Sequence, residues 1–158
     1  LSGAFHQNNL ARRTQGQLGG DLFEQKTMKS VLLDAMLKYN GWSLMSSYMS
    51  RSAKDPIAFN PDDITEFNYV PVGSGMDYQL SYVFPTNYEI IGRFSTQKMH
   101  EDIQALTPDS RQYSLGVTKY LWEHAFKLQG EVTLSDLDYF DGTNKQNWYV
   151  RLQLEIGI

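Results

Sequence analysis

The chain has 158 residues, enough for one small domain, and a formal net charge of −4. Because it contains no cysteine, it can form neither a disulfide framework nor a cysteine-ligated metal site. The negative charge argues against general nucleic-acid binding, and no run reaches the about 18 consecutive apolar residues of a transmembrane helix. The aromatic content of 13% is high for a chain of this length.

The first predicted element is a hairpin made of two alternating runs, residues 31–39 and 42–51. Apolar and polar side chains alternate in these runs with the period of two that is typical of a strand. Asn40-Gly41 lies between them and is the dipeptide best suited to a type I′ turn, which fixes the register of the two strands. The predicted pairs are Tyr39 with Trp42, Leu37 with Leu44, Leu33 with Tyr48, Lys38 with Ser43, Asp34 with Ser47, and Ser30 with Arg51.

The same alternation recurs in five later runs, as two hairpins and one final strand. Runs of about ten residues match the length that a strand needs to cross a bilayer within a barrel. The predicted strands are 76–84 and 88–95 around the turn Pro85-Thr86-Asn87, 112–120 and 126–134 around a turn at 121–124, and 147–158.

Long connections alternate with the short turns, and they are rich in Gly, Asn, Asp, Pro and Ser. Bacterial outer-membrane barrels show this asymmetry, with short periplasmic turns and long extracellular loops. The pattern therefore predicts that the short turns and the end of the last strand lie on the periplasmic side. The predicted long connections are 7–26, 52–74, 96–110 and 135–144.

The fold class expected from these runs is all-β, an antiparallel up-and-down transmembrane β-barrel with about 7–8 strands in this chain. Residues 1–6 would be the eighth strand, but they supply only about half of the ~9–11 residues that a span needs. We therefore expect residues 1–158 to be one domain, the C-terminal portion of a barrel of about 16 strands, with an N-terminal half preceding Leu1.

Aromatic residues cluster beside the short turns, although aromatics are also favoured in strands generally. Amphipathic rings held at one depth form a girdle at the interface between lipid and water. The residues predicted to form this membrane-interface girdle are Tyr39, Trp42, Tyr82, Phe84, Tyr88, Trp122 and Phe126.

Long charged and polar side chains occupy the other face of the strands and would suit a wide, water-filled lumen. Rings of charge on a lumen wall set ion selectivity, and a guanidinium offers a fork to phosphate or carboxylate. An alternative is that the bases pair with acids on neighbouring strands and line a passive channel. The predicted pore-lining bases are Arg93 and Arg151 at mid-height, Lys127 and Lys38 near the periplasmic mouth, and Arg51 near the outer mouth; the acidic or polar set is Asp34, Asp77, Gln79, Glu89, Gln129, Glu131, Gln153 and Glu155.

Three stretches together resemble the C-terminal half of the phosphate-selective porin O and P family: LLDAMLKYNGWSLMSSYMSR, GMDYQLSYVFPTNYEIIGRFS and QYSLGVTKYLWEHAFKLQGEVTLSD. The resemblance implies an outer-membrane barrel of about sixteen strands, usually trimeric, that passes anions through a basic lumen. The chain departs from the family in ending at Ile158 rather than in an aromatic residue, and its inward acids are about as frequent as its bases. The matching positions are Gly41, Trp42, Arg51, Tyr78, Gln79, Tyr82, Glu89, Arg93, Phe94, Ser95, Leu115, Gly116, Tyr120, Lys127, Leu128 and Gln129.

The predicted function is that of a porin in the Gram-negative outer membrane, a water-filled channel for small ions and polar solutes, with a preference for anions or phosphate as the finer expectation. Its expected partners are outer-membrane lipid, lipopolysaccharide and further copies in a homotrimer; no cofactor, metal, nucleic-acid or catalytic role is expected. His6, His100 and His124 lack the spacing of a catalytic or ligand set. The alternatives are a soluble lipocalin-like barrel with its apolar face inward around a ligand, and an outer-membrane enzyme or adhesin.

Overall fold

The computed structural model describes residues 1–122 and 126–157 and shows an all-β antiparallel protein. Ten strands make one large sheet and one small hairpin. The large sheet contains β1 (Ser2–Arg13), β2 (Asp21–Tyr39), β3 (Trp42–Ala53), β6 (Gly73–Val83), β7 (Tyr88–Met99), β8 (Asp109–Trp122), β9 (Phe126–Asp138) and β10 (Asn144–Ile156); the small hairpin is β4 (Ile57–Phe59) with β5 (Phe67–Tyr69).

The large sheet is an antiparallel meander with the strand order β1-β2-β3-β6-β7-β8-β9-β10. Each strand pairs with the strands before and after it in the chain once the β4–β5 hairpin is set aside. Strands β1 and β10 are the two edges, so the sheet formed by the described residues is open. The predicted all-β antiparallel fold and the predicted number of strands are thus confirmed, whereas closure into a barrel goes beyond this sheet.

The first hairpin has the turn that its sequence predicts. Asn40 and Gly41 both have positive φ angles, of 49° and 85°, as a type I′ turn requires. With the turn fixed, the register of β2 against β3 is fixed as well, and all six predicted cross-strand pairs are found, from Tyr39 with Trp42 at the turn to Ser30 with Arg51.

Strands extend further than predicted on the side of the sheet where the long connections join the strand ends. We call this side the long-connection edge; it runs across the strand ends and differs from the edge strands β1 and β10. The predicted connection 7–26 is wrong, since β1 continues to Arg13 and β2 already begins at Asp21. The predicted short first strand at residues 1–6 is wrong for the same reason. The polar residues between Gln7 and Lys26 led to the prediction of a loop. Their backbones nevertheless continue to pair on both sides of a bulge near Leu10, whose φ is 52°.

The other long connections are also shorter or more ordered than predicted. β7 runs to Met99 and β8 begins at Asp109, while β9 runs to Asp138 and β10 begins at Asn144. The connection predicted at 52–74 contains the β4–β5 hairpin. The turn predicted at 121–124 includes Glu123 and His124, which lie outside the described residues.

A small apolar core lies at the long-connection edge and is built largely by the connections themselves. Buried Val70 and Val72 follow the small hairpin, and Ile103 ends a 3₁₀ turn at Glu101–Ile103. They pack with Met28 of β2 and Met99 of β7, so the connections are anchored to the sheet. Among residues 1–122 and 126–157, no helix has the length and apolarity needed to cross a membrane.

Replacement of Gly41 by alanine tests the first turn, and Gly142→Ala is its matched control. Both glycines have similar positive φ angles, of 85° and 82°, but an added Cβ at Gly41 would lie 2.9 Å from the carbonyl oxygen of Val83, whereas nothing lies within 4 Å at Gly142. We expect Gly142→Ala to lower the free energy of unfolding by about 1 kcal/mol, and Gly41→Ala to lower it by at least about 1 kcal/mol more. Denaturant unfolding followed by tryptophan fluorescence measures both losses; equal losses would contradict the clash.

Candidate functional site

The two faces of the large sheet differ in character and in exposure. The apolar face carries Val31, Leu33 and alternate residues of β2, together with their register partners; the polar face carries the residues between them. On the apolar face Leu115 and Leu152 are 63% and 80% exposed, whereas on the polar face Thr133 is 0% exposed. This asymmetry indicates that the sheet curls toward its polar face, where the longer side chains crowd over the short ones.

The apolar face forms a band that has the same length on β2 and on β9. On β2 it runs from Val31 to Tyr39, and Lys29 lies beyond it; on β9 it runs from Leu134 to Phe126. Both segments are nine residues long, which corresponds to about 26 Å along an extended strand, or a height of about 23 Å for a strand tilted by about 30°. Outer-membrane barrels carry an apolar band about 25 Å tall. The height of the band is therefore close to that of the band of an outer-membrane barrel.

The band crosses the strands obliquely, and the slip is the same at both of its edges. The row of paired residues that starts at Tyr39 reaches β9 at Gly130, four residues short of the band's end at Phe126. At the other edge, the row that contains Leu134 reaches β2 at Ala35, four residues from Val31.

Four residues of slip over five strand spacings correspond to about 13 Å over about 24 Å, a tilt of about 30°. Strands of membrane barrels tilt by roughly 35–45°. The tilt of the strands relative to the perpendicular of the apolar band is thus slightly below the tilt found in closed membrane barrels.

Aromatic rings border the band on the side of the short turns. The rings of Trp42 and Tyr82 lie 4.8 Å apart, and Phe84 meets Tyr82 edge-on at 4.8 Å. Lys119, the one base on this face of its strand between Tyr113 and Leu121, lies 3.8 Å above the ring of Tyr88 and donates to the carbonyl oxygen of Thr86. Of the remaining girdle residues, Tyr39 and Trp122 are exposed, and Phe126 is half-buried and pairs with Trp122.

Two of the predicted pore-lining bases are neutralised by acids on the polar face. Arg93 donates to Asp77 at 2.8 Å, and the hydroxyl of Ser95 donates to the same oxygen at 2.7 Å. Lys127 lies 3.0 Å from Glu155 on the neighbouring strand. At these two positions the bases pair with acids on neighbouring strands, as the second interpretation of the sequence expected for these side chains.

The other three bases have no such partner. Within the described ranges, no carboxylate lies within 4.0 Å of Arg151, Arg51 or Lys38. Arg151 is opposite Glu131 in the register, and its guanidinium lies 6.0 Å from the ring of Tyr149. Three predicted pore-lining bases on the polar face therefore have no carboxylate partner among the described residues.

Short polar side chains between the charges form a hydrogen-bonded ladder. The hydroxyls of Thr133 and Ser114 are 2.7 Å apart, and Thr133 also donates to Glu131. Gln129 donates to Thr118, which is almost fully buried. The remaining predicted pore-lining residues take part as neighbours: Gln79 is opposite Arg93, Gln153 is opposite Gln129, Glu89 accepts from the hydroxyl of Tyr120, and Asp34 accepts from Ser2.

Two features of the polar face were missed by sequence reasoning. The connections after β3 and β7 pack onto it through Val72 and Ile103, because Met28 and Met99 present apolar groups there. Next to them lies a hollow, which stays open because Gly73 and Gly75 of β6 have no side chains to fill it. The only signal in the sequence was the pair of glycines just before the strand predicted at 76–84.

Acids in the connections stabilise local turns. Thr65 donates its hydroxyl and backbone N–H to Asp63, which holds the pKa of that carboxyl below its ordinary value; Thr143 lowers the pKa of Asp141 in the same way. No group of three or more His, Asp or Glu side chains in the part of the chain that the structure describes could hold a metal ion.

Comparison of the chain with protein-family models, with curated proteins and with solved structures gives no match. The resemblance to the phosphate-selective porin O and P family therefore stays a prediction from the sequence.

The hydrogen bond between Thr133 and Ser114 can be tested by a double-mutant cycle. Thr133→Val leaves two polar partners unpaired beside a buried site, so we expect a loss of about 1–3 kcal/mol in the free energy of unfolding. Ser114→Ala alone removes one hydroxyl of the pair. The double variant should lose less than the sum of the two single losses, measured by denaturant unfolding; strict additivity would contradict the bond.

Proposed function

We propose that the chain forms part of the wall of a β-barrel channel in the bacterial outer membrane, with its apolar face toward lipid and its polar face toward a water-filled lumen. The observation that carries the proposal is the apolar band, which is nearly as tall as that of an outer-membrane barrel on both β2 and β9 and crosses the strands between them at about 30°. In water nothing would require an exposed apolar surface to have the same height on distant strands, whereas a bilayer imposes one thickness on all of them.

The open edges of the sheet support a barrel wider than eight strands. In lipid, the backbone groups of β1 and β10 that face away from the sheet would have no water to bind, so each must pair with a further strand. We propose a barrel of about sixteen strands, because a barrel of about 8 strands is filled by its own side chains, whereas porins of 16–18 strands enclose an aqueous channel. Assembly into a homotrimer stays a prediction from the family resemblance.

The charges on the polar face favour a channel with weak anion preference. Of the five predicted pore-lining bases, Arg93 and Lys127 are paired with acids, whereas Arg151, Arg51 and Lys38 have no acidic partner in the described ranges. Unpaired acids such as Asp34 and Glu131 offset part of this positive charge. The proposed solutes are therefore small ions and polar molecules rather than phosphate alone.

The lipocalin-like alternative needs the opposite orientation, with the apolar face packed inside around a ligand. Leu33, Leu80 and Leu152 would then be buried, but all three are exposed, and it is the polar face that is crowded. The burial pattern supports the channel proposal over this alternative.

Single-cysteine labelling is the experiment that tests the orientation, since the chain has no cysteine of its own. Gln79→Cys and Gln129→Cys place a thiol on the polar face, and Leu80→Cys and Leu128→Cys place one on the apolar face of the same strands. In lipid vesicles, a membrane-impermeant methanethiosulfonate should label the polar-face thiols at least about tenfold faster, because the reactive thiolate requires water. Mass spectrometry measures the rates.

Urea-unfolded protein serves as the control, since all four thiols should then react alike. Faster labelling at Leu80→Cys and Leu128→Cys than at their neighbours would reject the channel orientation and favour the lipocalin-like fold.

Ion selectivity provides a second prediction. Asp77→Asn frees Arg93 and should raise the anion preference, whereas Arg151→Gln removes an unpaired base and should lower it. One charge about 10 Å from an ion in water contributes about 0.4 kcal/mol, so the anion-to-cation permeability ratio should change about two- to fourfold. Reversal potentials in a salt gradient across planar bilayers measure the ratio; Asp62→Asn in a connection is the control. No change in either variant would reject these positions as lumen contacts.

A further inference from the structure

A hollow of about 480 Å³ lies on the polar face at the long-connection edge. Gly73 and Gly75 form part of its floor, and because neither has a side chain, the hollow stays open between β3 and β7. Gln15 and Pro71 from the connections border it. The volume is within the roughly 300–1,000 Å³ of small-molecule sites.

Four charged residues line this hollow: Asp34 on β2, Arg51 on β3, Asp77 on β6 and Lys98 on β7. Asp77 is already paired with Arg93, and Lys98 alternates along β7 with the polar-face residues Gln97 and Met99, so Asp34 and Arg51 are the charges of the polar face that stay available. Arg51 pairs in the register with Ser30, four residues before Asp34, so the two charged residues are about 13 Å apart along the strands. Arg51 donates to the hydroxyl of Ser30 at 3.3 Å, and Asp34 accepts from Ser2 at 3.3 Å. Neither is in an ion pair within residues 1–122 and 126–157.

The surface between the two charges is apolar. Leu32 and Met49 are directly paired across β2 and β3, in the row between that of Asp34 and that of Arg51. Along the polar face the lining therefore presents an acid (Asp34), an apolar surface (Leu32 and Met49) and a base (Arg51) in successive rows. A ligand that satisfies it has a cationic end, an extended middle and an anionic end.

We propose that the hollow binds a short zwitterionic peptide in an extended conformation, with its terminal ammonium at Asp34 and its terminal carboxylate at Arg51. The inference rests on the proposed function, because it takes the polar face as the wall of the lumen. Contacts of about 3 Å at each end leave about 7–13 Å between the ligand's charges, which is spanned by two or three residues at about 3.4 Å each.

The charge of the whole hollow suits this ligand better than it suits inorganic phosphate. The guanidinium of Arg51 has a fork of donors that can bind a carboxylate. The lining carries two bases, Arg51 and Lys98, and two acids, Asp34 and Asp77, so it has no net positive charge that would favour a multiply charged phosphate. A peptide carboxylate carries a single negative charge and turns its cationic end toward the acid.

Isothermal titration calorimetry on the intact, detergent-solubilised protein that contains this chain tests the proposal with trialanine as the probe. Trialanine should bind at least about tenfold more tightly than either its N-acetylated form or its C-terminal amide, since each modified peptide lacks one charge-assisted contact. Inorganic phosphate is titrated in parallel.

Two variants assign the ends of the peptide. Asp34→Asn should abolish the discrimination against N-acetylated trialanine and keep the discrimination against the amide, whereas Arg51→Gln should do the reverse. Asp62→Asn and Lys54→Gln, two exposed positions in the connection after β3, make the same charge changes away from the hollow and should leave all affinities unchanged.

Equal affinity for trialanine and its blocked forms, or tighter binding of phosphate than of trialanine, would overturn the proposal. Conductance of the same preparation in planar bilayers separates this result from the channel proposal. Ion conduction without discrimination between trialanine and its blocked forms would reject the peptide site alone. Discrimination between these peptides without ion conduction would support the site and reject the channel.

Discussion

The continuous antiparallel ladder from β1 to β10 is the constraint on which the rest of the structure depends. Because side chains alternate with a period of two, a slip of one residue in any pairing would exchange the two faces beyond it. The register is unbroken from the turn at Asn40-Gly41 to the row of Gly130. Tyr39 on β2 and Leu152 on β10 therefore lie on one face, although five strands separate β2 from β10. Both the apolar band and the rows of charge follow from that single register.

Local sequence predicts the hairpins well because turn chemistry and alternation act over a few residues. Asn40-Gly41 fixes one turn, and the pattern beside it then assigns every partner of β2 on β3. The strand ends were not predictable in the same way. Beyond the apolar band most residues of β1 are polar on both faces, so Gln7 and Arg13 carry no alternating signal even though their backbones are paired. Hydrophobic periodicity detects where a strand meets apolar surroundings, not where its hydrogen bonds stop.

The candidate site was predictable by face but not by pairing. Alternation places Arg93 and Arg151 on the polar face, but only the structure shows that Arg93 reaches Asp77 diagonally across β6 and β7, whereas Arg151 has no carboxylate within 4.0 Å among the described residues. Long side chains choose among several acids within reach, and sequence spacing does not rank them. The hollow at Gly73 was likewise hidden, because it depends on connections that fold back onto the sheet through distant contacts such as Val72 with Met99.

Unpaired charge on the polar face and open edges on the sheet lead to the same proposal by separate routes. Ionised groups in a narrow, dry interior would be costly unless each were paired and hydrogen-bonded. Arg151, Arg51 and Lys38 lack such partners in the described ranges, so they favour a lumen wide enough to hold water. A wide lumen requires more strands than the eight of this sheet, and the free backbone groups on β1 and β10 are where those strands would pair. A narrow barrel closed by these eight strands alone would satisfy the edges and leave the charges uncompensated.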